Sequence, residues 1–304
     1  MATQTTGRAR PLNVVLRPSS PAERAYRSAV LAPGFEPEPG LDLRYFGGRT
    51  LSDLAFTTVF LGHWHATERS ALDTALAAAM ADAGLNEIIA QYFPGETIGA
   101  AFDGPREGPH SLPARVGKDT IESFVAELDR GGGLAGLDLA RTAVCLLLPR
   151  GVVLVDGAAA DVDAPDSEHG LGGYHGSVHV SRRGRRRETV YYAVAVYSED
   201  GNGIVAFEHP WQNVCATLYH ELQEVRTDPD VEDAIRARGT PAAAHLLGWY
   251  SPPGGEIADI PIAEAHGNIR LVMKEVPLAD GSGTVPVQLL WSNRVGGPEA
   301  PATS

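Results

Sequence analysis

The chain has 304 residues, 43% of them hydrophobic, enough for one large domain or two small ones with a sizeable core. Its net charge of −13 and pI near 5.2 argue against nucleic-acid partners and against anionic membrane surfaces. No apolar run reaches the roughly eighteen residues needed for a membrane span.

Residues 1 to about 40 are rich in Pro, Arg, Ser and Ala, and predict a flexible N-terminal arm with a weak apolar run at Val14–Leu16. No apolar h-region follows the basic residues near Met1, so no secretory signal is visible. Leu54–Leu61 reads as a buried strand. His63 and His65 then flank Trp64, and would share one side of a continued strand, which makes them a minor metal candidate. Glu68 to about Ala83 predicts an Ala-rich helix with Leu72, Leu76 and Met80 down one side, and Leu85–Ala90 a shorter helical piece. Thr97–Phe102 suggests a short strand. Lys118–Leu128 suggests a helix with Asp119 as its cap. Thr142–Leu148 and Val152–Val155 suggest one or two strands.

An acidic Gly/Ala/Asp loop occupies 157–170. Gly172-Gly173-Tyr174-His175-Gly176 is a tight Gly-flanked site. His175, with Tyr174 beside it, is a candidate to touch substrate or metal, against a hydrogen-bonded structural role. Ser177–Val180 and Thr189–Val196 are strand-like and bracket the basic run Arg182–Arg187, read as a solvated hairpin tip with an anionic ligand as the alternative.

The most informative stretch lies at 210–230. Pro210 suits a first helical turn, and Trp211, Val214, Leu218, Leu222 and Val225 form one apolar stripe at about 100° per residue. Asn213, Thr217, His220, Glu224 and Asp228 fall on another face, roughly 120° away by the same projection. His220 and Glu224, at i and i+4, can reach one ion. Glu221 stands where a zinc peptidase holds its general base, in an H-E-x-x-H pattern whose second His is here Glu224. Imidazole plus carboxylate is acceptable zinc chemistry, and the carboxylate also suits a harder ion such as calcium. A solvated helix face is the competing reading. Asp228 precedes Pro229, so the helix should end there.

Beyond it come a helical piece at Val231–Arg238, a Pro-Gly loop at 250–255, and a strand pair, Ile269–Glu275 and Val285–Trp291, joined at Asp280–Gly283. Residues 295–304 read as a disordered tail. The motif Glu256-Ile257-Ala258-Asp259 offers a third ligand. Asp259 is the first choice, Asp228 the next, and Asp230 a competitor ten residues after His220. The two cysteines, Cys145 and Cys215, sit in apolar contexts and predict buried free thiols.

Taken in order, Gly172-Gly173-Tyr174-His175, His220-Glu221-x-x-Glu224-x-x-Thr227-Asp228-Pro229, Gly248-Trp249-Tyr250, Glu256-Ile257-Ala258-Asp259 and Gln288-Leu289-Leu290-Trp291-Ser292-Asn293 resemble the EXORDIUM-like, phosphate-induced protein family and its bacterial relatives. Leu61-Gly62-His63-Trp64 and Gln91-Tyr92 also fit, so the resemblance covers roughly 50–295. It implies a globular domain with an H-E-x-x-E helix, usually exported and linked in plants to growth responses. It supplies no biochemical activity. Relatives tend to carry Cys near the Gly-Tyr-His site, after the Glu-Ile-x-Asp motif and near the end. Here those places hold none, which with the missing signal favours a reducing, cytoplasmic setting.

The expected fold is α+β: a zincin-like, metzincin-type mixed sheet with a long backing helix and a metal-motif helix, then a smaller C-terminal half. One domain is expected over 41–294, its upper half 41–228 and its lower half 229–294. The expected function is that of a zincin-type hydrolase of peptide or related amide bonds. It would hold one divalent metal, zinc first and calcium second, with Glu221 as the base acting on water. The alternative is a non-catalytic binding or structural module.

Overall fold

The computed structural model describes residues 29–181, 187–199 and 201–301. Of the arm expected over 1–40, residues 1–28, with Val14–Leu16, lie outside the described residues, as does the basic run at 182–186. Residues 29–40 are described and hold the strand Val30–Leu31 and the start of a 3-10 turn at Pro39–Leu41.

The central sheet has five strands: β1 (Asp53–Phe60), β2 (Gly99–Glu107), β3 (Thr142–Leu147), β4 (Gly173–Ser181) and β5 (Arg187–Ala195), in the order β2-β1-β3-β5-β4. Four run parallel and β4 returns antiparallel to β5 at the edge. β1 and β3 read as mostly apolar runs, and Thr57, Thr58 and Thr142 are buried too, because both faces of the sheet are covered. Alternate residues go to opposite cores. Phe56, Cys145, Ala193 and Ala195 face one core, where helix α1 (Ala66–Ala81) packs. Val59, Val144, Val194 and Val196 face the other, against Ile121 and Val125 of α3 (Lys118–Arg130). The shorter helix α2 (Ala83–Ile89) follows α1, its start capped by Asp82, which accepts from Leu85 N at 2.9 Å.

The motif helix α4 (Pro210–Thr227) packs on α1 and lies over β5 and β4. Pro210 occupies its first turn, and His209 N donates to Gln212 Oε1 at 3.2 Å. It ends at Asp228, whose backbone N–H donates to Glu224 O at 2.7 Å. The sequence pattern suggested a core stripe with a separate chemical face. In the fold every residue from Gln212 to Thr227 is buried, because β7 (Thr284–Gln288) and β4 cover the polar side too. Arg226 is among them, its guanidinium donating to Gly99 O at 2.9 Å and Asn86 Oδ1 at 3.3 Å.

Several boundaries differ from expectation. β2 runs on to Glu107, because a register shift opposite Phe56/Thr58 absorbs Asp103-Gly104-Pro105, where a turn is otherwise suggested. Gly117, not Asp119, caps α3. The Asp119 carboxylate accepts from Thr120 N at 2.8 Å. The C-terminal hairpin pairs β6 (Met273–Pro277) with β7, while Ile269–Leu271 form a 3-10 turn. Gly297–Ala300 are not tail. They form a strand between Val30–Leu31 and Trp291–Ser292. Arg44–Tyr45 pair with Trp249–Tyr250, so the residues before β1 join the C-terminal half. Cys145 and Cys215 are buried and unbridged. Among the described residues, no helix is long and apolar enough to cross a membrane.

Candidate metal centre

Four segments bring polar side chains to the buried side of α4. The helix itself supplies His220, Glu221 and Glu224. β4 supplies His175, the loop after Ser251–Gly255 supplies Glu256, and Asp259 opens the short helix α5 (Asp259–Glu264). His175 faces α4 by strand parity. It pairs with Ala193, which faces the α4 core, whereas Tyr174 pairs with Val194, which faces the opposite one. Tyr174, considered as a substrate contact, therefore points away from this cluster: its ring packs edge-on against Tyr192 and beneath the Lys118 ammonium. Gly173 lets β4 approach this closely. A Cβ there would stand 2.9 Å from Thr217 Cγ2 and 2.3 Å from Val194 O.

His220 Nε2 lies 3.2 Å from Glu224 Oε2, 3.6 Å from Asp259 Oδ1 and 3.8 Å from Glu221 Oε1. His175 Nδ1 lies 3.4 Å from Glu221 Oε2 and 3.5 Å from Glu224 Oε2, and its Nε2 lies 3.6 Å from Glu256 Oε1. Charge-assisted hydrogen bonds close to about 2.7–2.9 Å. Ligands around a tetrahedral ion with bonds near 2.0–2.2 Å stand about 3.3–3.5 Å apart. The separations here match the second pattern better than the first. Two donor groups meet the spacing for an ion, His220/Glu221/Glu224 and His175/Glu224/Glu256.

The tautomer of His220 is fixed from outside. Gln288 Nε2 donates to the Ala258 carbonyl at 2.6 Å, which turns Gln288 Oε1 toward His220 Nδ1 at 2.8 Å. An amide oxygen only accepts, so Nδ1 carries the proton and the Nε2 lone pair points at the carboxylates. A lone pair facing carboxylates needs a proton or a cation between them. The same pull appears in the acidities. Burial alone would lower both histidines, but Glu224 and Glu221 beside His220, and Glu256, Glu221 and Glu224 around His175, raise both well above the ordinary value. Burial raises Glu221, and raises Glu256 strongly. Glu224 is also buried, yet His220 and His175 hold it down at about 2. Burial raises Asp228 to about 7.

These directions fix a pH dependence. Groups whose folded pKa is raised hold protons that the unfolded chain releases earlier, so their stabilisation is present at low pH and lost as pH rises. Metal-free protein is expected to lose thermal stability between about pH 4 and about pH 7, from the unfolded Asp value to the folded Asp228 value. Excess zinc should reverse the trend, because it binds the deprotonated ligands. Melting curves across that range, with chelator and with zinc, check both. A chelated protein that grows more stable toward pH 7 would contradict the proton-filled cluster.

The structure thus assembles His220, Glu221, Glu224 and His175. Asp259 stands at the rim with 57% of its side chain exposed. Asp228, second choice as a ligand, falls in neither donor group. Its Oδ1 accepts from Gly248 N at 2.8 Å, and Gly248 leaves no room for a Cβ, which would meet Thr227 O at 2.1 Å. Asp230 accepts from the Tyr191 hydroxyl at 2.9 Å. His63 and His65 are exposed, with rings 5.6 Å apart. β1 has already ended, so the strand argument for pairing them fails. Sequence reasoning passed over Glu256 in favour of Asp259, and missed Gln288 as the residue that orients His220. The signals for Gln288 are a polar residue closing the apolar strand Val285–Val287 and its place in the last motif of the family resemblance. Comparison with protein-family models, curated proteins and solved structures finds no match to this chain.

Proposed function

We propose that this α+β protein is a zincin-type, metal-dependent hydrolase of peptide or related amide bonds. His220 and Glu224 hold a divalent ion, zinc first and calcium second. The observation that carries the reading is the Nε2 lone pair of His220, fixed by Gln288 and aimed at Glu224, Asp259 and Glu221. Outer partners that set a ligating histidine in this way are a recurrent feature of metal sites. A mixed sheet with one antiparallel edge strand beside the motif helix supports the fold analogy. The ordered motifs support the EXORDIUM-like resemblance.

When bound, the ion would polarise the scissile carbonyl. Glu221, buried and with its acidity weakened, takes a proton from the attacking water and returns it to the leaving amine. Asp259 stands at the rim, 3.6 Å from His220 Nε2 and open to solvent. Of the two roles considered for His175, substrate or metal, its place in a donor group supports the second. The structural-module reading draws on a specific fact: His175, His220, Glu221, Glu224 and Glu256 are all under 9% exposed, and closed sites are typically structural. A peptide and ester library incubated with zinc-loaded and chelated protein separates the two. Chelator-sensitive cleavage is the expected result, and its absence from a well-folded, metal-loaded protein would decide for the module.

A further inference from the structure

Two donor groups share one carboxylate. Glu224 belongs both to the His220 group and to the His175 group, and its Oε2 lies 3.2 Å from one histidine and 3.5 Å from the other. Its Oε1 is engaged separately, accepting from Ala258 N at 3.2 Å. His175 turns Nδ1 toward Glu224 and Nε2 toward Glu256, and Glu224 is the one residue common to both donor groups, the place of a carboxylate that bridges two ions.

The charge count points the same way. Glu221, Glu224, Asp228, Glu256 and Asp259 crowd around two histidines, and among the described residues no Lys or Arg forms an ion pair with any of them. Buried carboxylates need compensating positive charge. Asp259 is open to solvent, which leaves four buried carboxylates: one divalent ion balances two of them, and two ions balance all four.

The third observation concerns unmet oxygens on the His175 side. Glu256 Oε1 is buried and accepts no hydrogen bond, although the residue is only 8% exposed. Asp228 is fully buried, and its Oδ2 also has no partner. Its carbonyl oxygen lies 3.4 Å from His175 Nε2. Orphaned acceptors of this kind are rare in folded proteins and call for an ion or a water. An ion at His220 does not answer Glu256 Oε1, because Glu256 is not in the His220 group; Asp228 is in neither group, so its Oδ2 does not bear on the choice.

We propose that the cluster is a two-ion centre: one divalent cation at His220 and Glu224, and a second, on a separate site, at His175 and Glu256, with Glu224 bridging them. Two-metal sites space their ions about 3.5–4 Å apart, a separation that one shared carboxylate spans. The inference rests on the metal reading of His220 and adds to it a site that the helix motif alone does not contain.

The test is stoichiometry. Full-length protein is stripped with chelator, dialysed against zinc or manganese, and its bound metal counted per chain by mass spectrometry. Wild type is expected to hold about two equivalents. Glu256→Gln, which keeps the side chain's shape, and His220→Ala are each expected to hold about one, and Glu224→Gln less than either. Manganese-loaded wild type should also give the broadened resonance spectrum of two coupled ions, and Glu256→Gln the spectrum of an isolated one. Circular dichroism confirms that each variant is folded. One equivalent in wild type would overturn the second ion and leave the His220 site standing. Two equivalents in folded Glu256→Gln would overturn the assignment to His175 and Glu256. No metal in folded wild type would overturn both sites.

Discussion

His220→Ala is expected to cut the response of the melting temperature to zinc down to what the His175 side contributes, and to lower the zinc-loaded melting temperature by about 10 °C. The size follows from mass action. Ion present at about a thousand times its dissociation constant stabilises the native state by about 4 kcal/mol. In a domain of roughly this size each kcal/mol moves the transition by about 2–4 °C. Truncation also removes the hydrogen bond to Gln288 and leaves a small cavity, so the metal-free proteins must be compared as well. The zinc-dependent part of the shift isolates the site. Differential scanning fluorimetry with and without zinc is sufficient. A His220→Ala protein that still gains stability from zinc as wild type does would remove His220 from the site.

What was legible in the sequence was local. The motif helix followed from Pro210, the i, i+4 spacing of His220 and Glu224, and the stop at Asp228-Pro229, all of which act within one element. The buried strands β1 and β3 followed from their mostly apolar runs. What was not legible depends on contacts between distant segments. Glu256 and Asp259 lie in one short motif, and which of them turns inward depends on the tight Ser251–Gly255 turn and on the start of α5. The turn sends Glu256 under His175, and the helix start leaves Asp259 at the rim. Tyr174 and His175 are adjacent, and only the pairing of β4 with β5 decides which faces the helix. Gly297–Ala300 look like a tail because one of their strand partners, Val30–Leu31, lies at the far end of the chain and the other, Trp291–Ser292, is only two residues long. Gln288 acts through a carbonyl thirty residues away, a relation that no periodicity encodes.

Glu221 decides whether this architecture turns over a substrate. Its two oxygens look different ways: Oε1 lies 3.8 Å from His220 Nε2 and Oε2 lies 3.4 Å from His175 Nδ1. Three roles therefore compete: general base, metal ligand, or a partner that only orients His175. Glu221→Gln separates them, because it keeps the size and one acceptor while removing the basic oxygen pair. As a base, the residue can be replaced with metal content and melting temperature preserved, while hydrolysis falls about 10²–10⁴-fold, the usual cost of losing general-base catalysis. The acidic limb of the pH–rate profile, which reports the base, should vanish with it. As a ligand, its replacement lowers metal content along with activity, since an amide is a far weaker donor than a carboxylate. As an orienting partner, it is replaced with little change in rate and with the pH profile intact. The burial that weakens its acidity favours the first outcome, because a base is most effective when its pKa approaches the working pH. A Glu221→Gln protein that retains wild-type metal content and cleaves as fast as wild type would remove Glu221 from the chemistry, whatever the metal count at His220 and His175.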